Sequence, residues 1–120
     1  MAKTLKIVAV SGGLQRPSRT LALVEQLLEG LNDAVPAKTR LIELGELVPK
    51  FGSVLQRAQL PREVEAVLRD IETADLLLVA SPIYRGSYTG LFKHLFDFVH
   101  HESLIDVPVL LAATGGRGPP

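Results

Sequence analysis

Four runs of aliphatic residues alternate along the chain with segments whose apolar positions recur every three or four residues. Residues 5–10 (LKIVAV) form a short β-branched run without a polar face, the pattern of a strand buried on both sides of a parallel sheet. Residues 20–31 place Leu21, Val24, Leu27, Leu28 and Leu31 on one side of an amphipathic helix. Gly30 and Asn32 are expected to end that helix, residues 32–38 to turn, and residues 39–44 to form a second strand. Residues 45–60 are the least patterned part of the chain, read as a loop with a short helical turn at residues 54–58.

Pro61 suits the first position of the next helix, which carries Glu63 and an apolar stripe of Val64, Val67, Leu68 and Ile71. Residues 76–80 are a third buried strand and residues 81–88 a polar, glycine-containing loop. Residues 91–101 read as a helix with Leu91, Phe92, Leu95, Phe96 and Val99 inward. Residues 107–113 form a fourth strand, with Pro108 at its start where proline is tolerated. The order βαβαβαβ, with strands too apolar for a wet face, predicts an α/β doubly wound parallel sheet. Ligands of such sheets bind beyond the carboxyl ends of the strands. Loops rich in hydroxyls and glycine follow three of those ends, at Ser11, Ser81 and Thr114.

Composition narrows the function classes. The 120 residues suit one domain, and a formal charge of zero gives no reason to expect nucleic acid or an anionic membrane as partner. The absence of cysteine removes disulfides, thiol catalysis and iron–sulfur clusters. His94, His100 and His101 lack the carboxylate or thiolate context of a zinc site and read as a solvated helix end. The N-terminus enters a strand without a leader pattern, and no run reaches membrane-spanning length, so a cytoplasmic protein is expected.

The first loop, residues 11–20 (SGGLQRPSRT), precedes a helix start, where backbone N–H groups and a partial positive charge favour an anion. Ser11, Ser18 and Thr20 add hydroxyls, and Arg16 or Arg19 a charge-assisted bond. The spacing is neither a P-loop nor G-x-G-x-x-G. The loop alone equally allows Ser18 as a helix cap beside solvated arginines.

The second loop and its helix, residues 81–97 (SPIYRGSYTGLFKHLFD), closely resemble the NADPH-dependent FMN reductases, with their pattern (S/T)-P-x-Y-x-x-S-x-(S/T)-G-x-(L/F)-K-x-x-(L/F)-D. The first loop resembles the S-G-S-x-R-x-x-S-x-(S/T) phosphate loop of that family, and Ala113-Thr114-Gly115-Gly116 its A-T-G-G flavin loop. The likeness is strongest to the two-component reductases that supply reduced FMN to alkanesulfonate or methanesulfonate monooxygenases.

The resemblance implies a flavodoxin-like sheet of strand order 2-1-3-4, with FMN and NADPH as cofactors and an FMNH2-dependent monooxygenase as flavin acceptor. It places the FMN phosphate on Ser11, Arg16, Ser18, Arg19 and Thr20. It places the isoalloxazine ring and ribityl chain against Pro82, Ile83, Tyr84, Arg85, Gly86 and Ser87, with Thr114, Gly115 and Gly116 at the pyrimidine end. Gly13 stands where many relatives carry Ser, leaving a backbone N–H as donor there. Hydride chemistry belongs to the cofactor, so no catalytic side chain is assigned.

Lys93 and Asp97 read as a weak surface pair, and Phe92, Phe96 and Phe98 as core or subunit contact. The resembled fold has five strands, whereas this chain stops after four with a Gly/Pro tail at residues 117–120. The expectation is therefore an FMN-binding domain over residues 1–116 with the fifth strand missing, truncated from a parent that forms a homo-oligomer, or else an edge covered by a partner. Alternatives in function are a quinone, azo or metal-ion reductase with retained FMN, a non-enzymatic flavodoxin-like electron carrier, and an inert remnant.

Overall fold

The computed structural model describes residues 4–14, 18–82 and 90–115, with the backbone alone at His101. In chain order these form β1 (Leu5–Ser11), α1 (Arg19–Ala34), β2 (Ala37–Glu43), α2 (Leu44–Phe51), α3 (Arg62–Glu72), β3 (Leu76–Pro82), α4 (Gly90–Asp97) and β4 (Val109–Thr114). Short 3-10 turns lie at Arg57–Gln59 and His101–Leu104. All pairings are parallel and the strand order is β2-β1-β3-β4, as expected.

The alternation of side chains along a strand splits β1 and β3 between two cores. Val8, Val10, Leu77 and Val79 face α2, α3 and α4, joining Leu44, Leu47, Phe51, Val64, Leu68, Ile71 and Leu95. Ile7, Ala9, Leu78 and Ala80 face α1, joining Val24 and Leu28. Each buried Val or Leu contributes about 1.5–3 kcal/mol, so the central strands are fixed from both sides. Asp75 adds register at the strands' start: its carboxylate accepts from the Lys6 N–H and its own N–H donates to the Lys6 carbonyl, both at 2.8 Å.

Several expected boundaries move. Gly30 and Asn32 do not end α1, which runs on to Ala34; Val35 closes it with an N–H bond to the Leu31 carbonyl, and Pro36 prevents continuation. Residues 45–51 are a helix, not a loop. The i, i+3, i+7 spacing of Leu44, Leu47 and Phe51 buries all three, which outweighs Pro49 inside the helix. The turn expected at residues 54–58 lies at Arg57–Gln59 instead. The α4 helix stops at Asp97 rather than at residue 101. Its inward positions hold: Leu95 is buried, while Leu91, Phe92, Phe96, Phe98 and Val99 pack against the larger core.

Strands without a wet face are found only in the centre. Residues 38–41 of β2 are exposed, as are Val109, Leu110 and Leu111 of β4, the last at 76%. On the α1 face, among the described residues, the outer strands join the core only through Ala37 of β2 and Ala112 of β4, which leaves most of their length uncovered. Among the described residues, no helix is long and apolar enough to cross a membrane.

Candidate functional site

The parallel register brings three strand ends to one rim. Ser11 stands beside Ala80, and Thr114 beside Pro82. The Gly12 N–H donates to the Ala80 carbonyl at 2.7 Å, so the first loop leaves β1 lying on β3. A Cβ at Gly12 would stand 2.8 Å from Cδ2 of Phe92 and 3.1 Å from that carbonyl. Only glycine lets the loop pass between β3 and α4.

Ser18 caps α1, its Oγ accepting from the Leu21 N–H at 3.0 Å. A Cβ at Gly13 would collide with the same Ser18 Oγ, so any side chain at that position would contest the cap. On the other side of the loop, a Cβ at Gly45 would lie 3.2 Å from the Gly13 carbonyl, which sets the start of α2 against the loop backbone. Between them is a cavity of about 130 Å³ lined by Ser11, Gly13, Leu14, Ser18 and Leu21, and across from these by Glu43, Gly45 and Glu46. Donors for an anion therefore lie on the α1 wall, and the α2 wall carries carboxylates. Sequence reasoning missed this second wall because it read residues 45–51 as a loop; the Leu44, Leu47, Phe51 spacing was the signal.

Thr20 and Thr114 meet across the rim with their Oγ1 atoms 2.8 Å apart. Ser11 and Thr20 are each 2% exposed, Ser18 and Pro82 are half-buried, and Arg19 and Gly115 are exposed. Ser81 turns inward and donates its hydroxyl to the Pro82 carbonyl at 2.9 Å. The structure thus gathers Ser11, Ser18, Thr20 and Thr114 and leaves Arg19 at the surface. Arg16, Ile83, Tyr84, Arg85, Gly86, Ser87 and Gly116, together with Tyr88, lie outside the described residues. The hydroxyls of Ser11, Ser18 and Thr20 and the amino end of α1 form a donor set of the kind that suits a phosphomonoester, with Glu43 and Glu46 on the facing wall of the cavity.

His94 departs from expectation. It is not a solvated helix end: its Nε2 lies 3.2 Å from the Phe51 carbonyl, and its ring stacks on Phe51 at 5.5 Å and meets Phe98 edge-on at 5.0 Å. Lys93 and Asp97 do form the exposed pair, at 2.8 and 3.1 Å, worth a few tenths of a kcal/mol, or about 0.3–0.5.

The family profile for NADPH-dependent FMN reductases matches residues 5–119. "NADH-dependent FMN reductase SfnF" of Pseudomonas fluorescens (strain Pf0-1) is 57% identical over 97% of this chain and 62% of its own length. "FMN reductase (NADPH)" of Pseudomonas aeruginosa PAO1 gives the same identity and the same coverages. The chain therefore spans about 62% of the length of these curated relatives. Among solved structures, the apo form of the NADH:FMN oxidoreductase EmoB superposes with a TM-score of 0.83 at 32% identity, over 95% of this chain and 60% of that one. An oxidoreductase from Corynebacterium diphtheriae superposes with a TM-score of 0.85 at 28% identity, over 96% and 66%. The chain belongs to the NADPH-dependent FMN reductase family.

Proposed function

We propose that this chain is the flavin-binding part of a cytoplasmic NAD(P)H:FMN oxidoreductase. In that role NADPH gives a hydride to FMN, and the reduced flavin passes to a partner monooxygenase of the sulfonate-desulfonating type. The observation that carries this reading is 57% identity, over 97% of the chain, with relatives named as FMN reductases. The rim geometry supports it. Ser11, Ser18, Thr20 and the α1 amino end hold the phosphate, with Arg16 and Arg19 supplying charge. The family resemblance, rather than the rim geometry, assigns the ring and ribityl chain to Pro82, Ile83, Tyr84, Arg85, Gly86 and Ser87 and the pyrimidine end to Thr114, Gly115 and Gly116.

FMN supplies the hydride-accepting ring. The chain's own residues bind and orient it and keep water from one face, so no side chain is assigned as acid or base. Relatives of equal identity are named for NADH and for NADPH, which leaves both nicotinamides as donors in this reading. The full-length parent is proposed to be a homo-oligomer.

A flavin titration followed by fluorescence tests the reading, with Arg16→Ala and Ser18→Ala alongside. The expected result is quenching on binding, weakened in both variants, and FMN-dependent NADPH oxidation. A folded sample that leaves flavin fluorescence unchanged refutes it. A second reading, a quinone reductase with retained FMN, is favoured by a 28% identical Arabidopsis thaliana relative named "NADPH:quinone oxidoreductase". Flavin that stays bound through turnover would select it.

A further inference from the structure

The strand β2 is at one edge of the sheet, and its backbone divides between a bonded side and an open one. The Leu5 N–H donates to the Pro36 carbonyl at 3.0 Å, which turns Pro36 toward β1. The N–H and C=O of one strand residue point to the same side, and the side alternates along the strand. With Leu5 paired to Ala37, the groups of Lys38, Arg40 and Ile42 therefore serve β1, and those of Ala37, Thr39 and Leu41 face outward. Residues 38–41 are exposed. Side chains give this edge a sign. Lys38 and Arg40 stand opposite Lys6 and Val8, on the sheet face that carries α3. Lys6, Lys38 and Arg40 line a cavity of about 280 Å³ whose other described walls are Thr4, Leu5 and Thr39, with no carboxylate among them. Asp70 of α3 answers two of the cations, accepting from Lys6 Nζ at 2.8 Å and from Arg40. Among the described residues Lys38 has no acidic partner.

We propose that β2 accepts an extended acidic segment of a partner protein as an added strand, with carboxylates beside Lys38 and Arg40 and apolar side chains beside Thr39 and Leu41. The backbone of Ala37, Thr39 and Leu41 supplies the ladder, and the alternation of the incoming strand supplies the choice of partner. A second copy of β2 fits less well: the antiparallel register that joins all three open residues sets Lys38 directly opposite Arg40. The other outer strand, β4, has no charged residue from Val109 to Thr114 and offers an acidic segment no counter-charge. Charge on an edge also wards off unplanned pairing; that protective role alone predicts that neither an acidic nor a basic strand adds. The surface uses no residue assigned to flavin, so it stands apart from the reading above.

An end-blocked octapeptide alternating Glu and Val is the probe, with a Lys and Val counterpart, and hydrogen exchange reports where it binds. The acidic peptide is expected to bind the wild type saturably below about 1 mM and to slow exchange at the Thr39 and Leu41 amides. Added salt weakens it, and the basic peptide leaves those amides unchanged. Lys38→Glu is expected to cost about fivefold in affinity. Thr39→Pro removes an outward N–H, spares the bonds to β1 and abolishes binding, with circular dichroism confirming the fold. No saturable binding, equal binding of the basic peptide, unchanged affinity in Lys38→Glu, or protection at Val109 and Leu111 in place of β2 overturns the proposal. So does protection of Thr39 and Leu41 that rises with protein concentration alone, which would mark a second copy as the occupant.

Discussion

The Arg57 guanidinium meets the Glu72 carboxylate through two parallel bonds, Nη1 to Oε2 at 2.6 Å and Nη2 to Oε1 at 3.0 Å. The same group reaches both oxygens of Glu65 at 3.0 Å and the Phe98 carbonyl at 3.2 Å, and Glu72 also accepts from the His100 N–H at 2.9 Å. One side chain thereby fastens the turn after α2 to α3 and to the segment after α4. The bonds from Arg57, then the His100 N–H, hold the Glu72 carboxyl below the usual carboxylate range against the opposing cost of burial. Arg57 does the same to Glu65, and its own pKa is raised.

Both carboxylates have a lower pKa folded than unfolded. Their contribution is complete above the ordinary carboxylate value and is lost as pH falls through the depressed folded values. The melting temperature is expected to drop between about pH 5 and pH 3, and Glu72→Gln to flatten that drop. Thermal melts of both proteins across this interval check it; parallel curves would contradict it.

Gly13→Ser tests the crowding at the first loop. The new side chain must displace the Ser18 hydroxyl that caps α1, at a cost of about 1 kcal/mol. Hydrogen exchange at the Leu21 amide is expected to accelerate, and an unchanged rate would show that the loop absorbs the side chain without moving the cap.

Phe51 anchors α2. It is fully buried and stacked on His94, so Phe51→Ala is expected to cost about 3–5 kcal/mol, a large share of the stability of a domain this size. Urea unfolding gives the number directly. A loss below about 1 kcal/mol would mean that the site collapses around the deletion.

Leu111 points outward from β4 and is 76% exposed. Leu111→Lys is expected to leave stability within about 0.5 kcal/mol while raising the concentration at which the chain self-associates, because a charged edge resists strand pairing. Light scattering against concentration distinguishes the two proteins.

Sequence periodicity read the central strands and the stripes of α1 and α3 because each is buried in one unambiguous pattern. Val64, Val67, Leu68 and Ile71 are all buried, as their spacing required. It failed at α2, where Pro49, Gly45 within the helix and Gly52 just after it resemble a loop, and where helix formation is decided by the burial of Leu47 and Phe51 against distant elements. It failed at β2 and β4 because a strand's apolar content does not say whether a helix covers it. Within the site, Ser18 as a cap was legible from local chemistry. The Thr20–Thr114 contact was not: local spacing carries no information about a partner 94 positions away.

That separation orders assembly. A chain emerging from the ribosome completes β1 and α1 long before β4 exists, so the Thr20 hydroxyl meets its partner only when β4 docks. Contacts between such distant positions form late, after the entropy of closing the intervening chain has been overcome. Any ligand that touches both strand ends binds only after β4 has docked, and so shifts the population toward that state by mass action.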